Sequence, residues 1–107
     1  MVAFPVSDID PFSNAYLSDP YPFHRALREL GPVVWLSQYS AWCVTRHKET
    51  LAVLANPKLF ASGGGVGLTN AFTEKPWRPL SLLLEADPPA HTPRRALVFR
   101  ILSGDNA

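Results

Sequence analysis

A single cysteine among 107 residues excludes an internal disulfide framework, and Cys43 therefore fits a reducing compartment. No apolar run is long enough to cross a bilayer. Residues 1–12 carry Asp8, Asp10 and two prolines where a secretory leader would have a basic stretch and an apolar core. These absences predict a cytoplasmic protein with no membrane association. Charge is also scarce. Ten Lys and Arg against nine Asp and Glu leave a net charge of +1. The basic residues are scattered rather than patched, which argues against nucleic acid as a partner. No internal repeat is visible.

What is present is proline and apolar surface. Eleven prolines in 107 residues imply short elements separated by rigid turns. Hydrophobic residues at 47% and charged residues at 18% lie in the globular range, and the length suits one small domain. Residues 1–22 read as an irregular arm, because Pro5, Pro11, Pro20 and Pro22 interrupt each candidate helix. Residues 23–60 read as helix, hairpin, helix. Phe23, Ala26, Leu27 and Leu30 form a stripe at helical spacing that stops at Gly31-Pro32. The β-rich runs 33–36 and 41–45 flank the polar turn 37–40. Thr45 is positioned to cap a second helix over 46–55, with Leu51, Leu54 and Ala55 inward and Asn56-Pro57 as its stop. Residues 61–86 form a long loop, a kind of segment that is usually functional in a small domain. The fold class is α+β.

Several groups invite chemistry. Gly63-Gly64-Gly65-Val66-Gly67 lacks the preceding strand and the Gly-Lys-Ser/Thr ending of a phosphate loop, and is read as a mobile loop. Cys43 lies between Trp42 and Val44 with no His or Cys at ligand spacing, and is read as a buried small hydrophobe. His24 and His47 have no partner in sequence. Asp8 and Asp10 sit in the arm, where nothing fixes their separation, and are read as solvated. Trp77-Arg78 either binds an anion or is a surface pair.

The stretch 82–102, LLLEADPPAHTPRRALVFRIL, organises the rest. Asp87 is a candidate N-cap, and Pro88 suits a first turn. His91 and Arg95 are four apart and share a helix face, which Val98 and Leu102 continue. Such a face suits an apolar ligand with anionic ends, or is an ordinary amphipathic helix with two solvated basic residues.

Asp87-Pro88-Pro89-Ala90-His91-Thr92, with Arg95 following, resembles the opening of the third helix in bacterial haem-thiolate monooxygenases of the cytochrome P-450 type. The order of the preceding elements is similar, from the proline-rich arm through Leu30-Gly31-Pro32-Val33 and the hairpin to Phe60-Ala61-Ser62. The likeness spans residues 10–103 and only the N-terminal portion of that family's domain. Lys75-Pro76-Trp77-Arg78-Pro79 looks closest to a branch oxidising substituted benzoates. The resemblance implies that His91 and Arg95 hold the haem propionates. It implies that residues 62–72 cover the substrate pocket, with Val66, Leu68 and Phe72 as its apolar contacts. It further implies oxidation of a small apolar or aromatic substrate with O2 and electrons from a ferredoxin-type partner.

Three family features are missing from these 107 residues: the acid-threonine pair of the central helix, the Glu-x-x-Arg pair and the loop bearing the ligating cysteine. The chain is therefore expected to be an incomplete single domain, inactive alone, without stably bound haem and with no metal ligand or catalytic residue of its own. Unmatched apolar surface around Leu82-Leu83-Leu84 and in 97–102 predicts self-association. Pro93 departs from the family pattern. Inside a regular helix it would cost ~3 kcal/mol, so a kink is expected, or a start near Thr92 that takes His91 off the face of Arg95. The alternative reading is a non-catalytic α+β binding or interaction module.

Overall fold

The computed structural model describes residues 4–104. Its contacts divide the chain into two compact units, Met1–Leu54 and Ala55–Ala107. The architecture is α+β.

The first unit holds β1 (Val6–Ser7), α1 (Asn14–Ser18), α2 (Tyr21–Leu30), β2 (Val33–Leu36), β3 (Ala41–Val44) and α3 (His47–Leu54). The three strands form one sheet in the order β1-β2-β3. β2 and β3 are the expected antiparallel hairpin, with Trp35 opposite Trp42 and Val34 opposite Cys43. The two indoles meet edge to face, with ring centroids 4.8 Å apart. Alternation along β2 turns Val34 and Leu36 inward, where with Leu27 of α2 they form the buried core; Ile9 and Cys43 pack against it. Only Leu27 of the predicted α2 stripe is fully buried.

The arm is more ordered than its prolines suggest. β1 pairs in parallel with β2, placing Val6 beside Trp35 and Ser7 beside Leu36. The Trp35 N–H donates to Pro5 O at 2.9 Å, and the Ser37 N–H donates to Ser7 O at 3.0 Å. α1 fits between Pro11 and Pro20, capped by Ser13, whose Oγ accepts from the Tyr16 N–H at 3.2 Å. Pro20 and Pro22 do not block α2. They occupy its N-cap and first turn, where a missing N–H costs nothing, so the helix begins before Phe23.

Two further expectations are corrected. Thr45 does not act through its side chain at the start of α3; its hydroxyl donates a short hydrogen bond to the Gly31 carbonyl, fastening the end of α2. Leu51 and Leu54 of α3 are 57% and 77% exposed rather than turned inward, and no residue of α3 is buried.

The second unit is turns up to residue 90, followed by α4 (His91–Leu102). No residue of α4 is buried. Asp87 is not its side-chain cap. Ala90 takes the N-cap position, while the Asp87 carbonyl accepts from the His91 N–H at 3.1 Å. The helix thus begins three residues later than Pro88, and Pro93 falls in its first turn. There the absent N–H removes no bond from the helical ladder, and the cost expected for an interior proline does not arise.

Candidate functional site

α4 presents an open concavity of about 400 Å³ lined by His91, Thr92, Arg95, Ala96 and Phe99. The late start of the helix does not separate His91 from Arg95, contrary to the sequence expectation. His91 is itself the first helical residue, so the four-residue spacing survives and both side chains reach one hollow. The apolar continuation of that face is Ala96 and Phe99, in place of Val98 and Leu102. Arg95 holds its guanidinium carbon 5.8 Å from the centroid of the Phe99 ring. Among the described residues, neither the His91 imidazole nor the Arg95 guanidinium has a hydrogen-bonding or ionic partner. The donor set is therefore an imidazole and a planar guanidinium fork one turn apart beside an aromatic ring. That set suits a flat apolar group carrying carboxylates.

The glycine loop is the second component. Its N–H groups are held by two carboxylates that the sequence reading had not assigned to it. Asp87 Oδ1 and Oδ2 accept from the Ser62 N–H at 2.8 Å and the Gly63 N–H at 2.7 Å. Glu85 Oε2 accepts from the Val66 N–H at 3.2 Å, and its Oε1 accepts from the Ser81 N–H at 2.8 Å. Arg78 donates to Glu85 Oε1 at 2.6 Å while lying over the Trp77 ring, so it serves both roles considered for it. These donors, the Ser81 N–H foremost and then the Arg78 guanidinium, hold the Glu85 carboxyl below the usual carboxylate range. The one available signal was an acidic residue directly after three leucines, in a stretch otherwise apolar.

The three loop residues singled out from sequence do not share one cavity. Phe72 lines an open hollow of about 370 Å³ with Leu59, Phe60, Gly64 and Asn70. Leu68 lines a small cavity of about 40 Å³ beside Trp77 and Leu80. Val66 is exposed and lines neither.

Cys43 is half-buried rather than fully buried, at the edge of a hollow of about 270 Å³ with Tyr16, His24, Leu27 and Arg28. Burial pushes its thiol pKa up, which favours the neutral thiol over a ligating thiolate. His24 packs edge-on to Tyr16 and Tyr21. Asp10 is not a solvated member of a pair. Its carboxylate accepts from the Phe12 N–H at 2.9 Å and from the Tyr39 hydroxyl. Among the described residues no helix is long and apolar enough to cross a membrane.

No family model matches the chain. Individual relatives do. A cytochrome P450 of Rhodopseudomonas palustris, CYP199A2, is 54% identical over 95 residues, 89% of this chain. The P450 monooxygenase PikC of Streptomyces venezuelae is 34% identical over 99 residues, 90% of this chain. A putative cytochrome P450 123 of Mycobacterium tuberculosis is 32% identical over 93 residues, 86% of this chain. The chain spans 23% of the length of each of these relatives. Such identity across nearly all its residues, together with the α+β order of its elements, places the chain in the bacterial cytochrome P450 family, as a match to the N-terminal portion of that domain.

Proposed function

We propose that these residues form the N-terminal part of a haem-dependent monooxygenase acting on a small apolar or aromatic substrate, with a ferredoxin-type electron donor. The observation that carries this reading is the shared hollow of His91 and Arg95 on α4, with both cationic or polar heads unpartnered and Phe99 alongside. In that role the Arg95 fork and the His91 ring N–H donate to propionate oxygens, and Phe99 and Ala96 supply the apolar contact. Haem bound in the complete domain supplies the O2-activating chemistry of the family. Here the chain's own part is to bind and orient. Phe72, Leu68 and Val66 on 62–72 contribute to covering the substrate, with a substituted benzoate as the substrate class that the resemblance of Lys75-Pro76-Trp77-Arg78-Pro79 implies.

The 107 residues taken alone do not provide the thiolate. Cys43 sits on β3, is half-buried, donates weakly to the Val44 carbonyl and has a raised pKa. The chain by itself is therefore expected to be inactive and not to retain haem stably.

The test is a chimera in which this chain replaces the 95 aligned residues of the Rhodopseudomonas palustris relative. It should take up haem and give the thiolate-type absorption band on reduction under carbon monoxide. His91→Ala and Arg95→Ala should each lower haem retention, and Phe72→Ala should alter the spectral response to added benzoate while leaving haem in place. A folded chimera that holds haem equally well without both α4 residues would refute the propionate assignment. A thiolate-type band from the 107-residue chain alone would refute the assignment of Cys43.

A further inference from the structure

Two acids that precede α4 grip the glycine loop by its main chain. Asp87 takes the N–H groups of Ser62 and Gly63, and Glu85 takes that of Val66 from the other side. The glycines permit this approach. A Cβ on Gly63 would stand 2.9 Å from Asp87 Oδ2, and one on Gly65 would stand 3.2 Å from Glu85 Oε2, at a φ of +100° that side chains rarely adopt. A Cβ on Gly64 would stand 2.8 Å from the Phe72 ring. The loop then closes on itself through the Ala71 N–H, which donates to Gly64 O at 2.8 Å. A carboxylate as buried as Glu85, its side chain 3% exposed, is tolerable only when its charge is matched by donors, and here three donors meet it.

We propose that Asp87 and Glu85 are positioning residues. They clasp 62–66 to the approach of α4, so that the glycine loop and the Phe72 ring seated on Gly64 are held in one conformation. The significance of that conformation for substrate rests on reading 62–72 as the substrate cover, but the clasp stands or falls by itself. Arg78 is the charged group against Glu85; its other neighbours, Gly65, Thr69, Leu80 and Trp77, carry no charge. Because the folded pKa of Glu85 is lowered, its half of the clasp, on the Val66 and Ser81 N–H groups, is intact above the ordinary carboxylate range and is lost as pH falls through the lowered value.

Residue-resolved amide hydrogen exchange on the 107-residue chain tests this. The Ser62, Gly63 and Val66 N–H groups should be protected. Asp87→Asn should speed exchange at Ser62 and Gly63, and Glu85→Gln at Val66 and Ser81, by roughly tenfold or more. The His91 and Ser103 N–H groups, bonded to Asp87 O and Phe99 O, should keep their protection. If Glu85→Gln does not fold, acid titration of the unaltered chain replaces it, with protection at Val66 and Ser81 lost at a higher pH than protection at His91 and Ser103. Unprotected loop amides, variants without effect, or loss of loop and helix protection together would each overturn the clasp. Haem retention in the chimera is indifferent to these outcomes, so failure of the clasp and failure of the haem reading are told apart.

Discussion

The Tyr39 hydroxyl donates to Asp10 Oδ1 across 2.5 Å, joining the turn between β2 and β3 to the segment that leaves β1. Phe12 lies edge-on to the Tyr39 ring at 5.3 Å and completes the junction. The bond holds the proton on the phenol and raises its pKa. A folded pKa above the unfolded one means that the contribution is complete below the ordinary tyrosine range and is lost as pH rises through the raised value. Tyr39→Phe should lower the urea midpoint at neutral pH and remove this alkaline dependence. Following phenolate absorbance and circular dichroism together across the alkaline range checks it.

The glycines of the loop should differ sharply in tolerance. Gly64→Ala places a methyl group against Cδ2 and Cε2 of Phe72, so the ring must leave its seat. Gly67→Ala meets nothing within 4 Å. The expected result is a large change in the Phe72 ring proton shifts for Gly64→Ala and an unchanged spectrum for Gly67→Ala. Since Phe72 is 70% exposed, the ring can swing away, and stability should fall by no more than about 1 kcal/mol.

Pro93→Ala tests where α4 begins. For an interior proline the substitution would stabilise by ~3 kcal/mol. In a first turn it removes only the entropic benefit of proline, so a change within about 1 kcal/mol, toward lower stability, is expected from chemical denaturation.

Phe99, Ile101 and Leu102 of α4 are 64%, 58% and 80% exposed. Apolar surface gathered on one helix favours association. The chain should sediment as concentration-dependent oligomers, and Ile101→Glu with Leu102→Glu should shift it toward monomer. A clean monomer at high concentration would count against this.

The hairpin was legible because β-branched and aromatic residues flank a polar turn, and that local pattern already agrees with the pairing of Trp35 and Trp42. Leu27 was legible from helical spacing. β1 was not, since a two-residue strand has no period and exists through its pairing with β2. Leu51 and Leu54 show the converse: an apolar pattern states what a helix offers, not whether a neighbour accepts it. At the candidate site the pair of His91 and Arg95 was legible because it lies within one helix turn. The role of Asp87 was not, because the same carboxylate can serve the helix ahead or the loop behind, and only the path of residues 62–63 decides.

β1 is the smallest element of the chain, yet it occupies one border of β2 and satisfies the N–H groups of Trp35 and Ser37 through Pro5 and Ser7. A strand border left bare is a template for another chain. Residues 5–7 cover that border, and the edge they present in its place is a strand of two residues. Trimming them would free the N–H groups of Trp35 and Ser37 along β2, the strand that carries Val34 and Leu36 of the core.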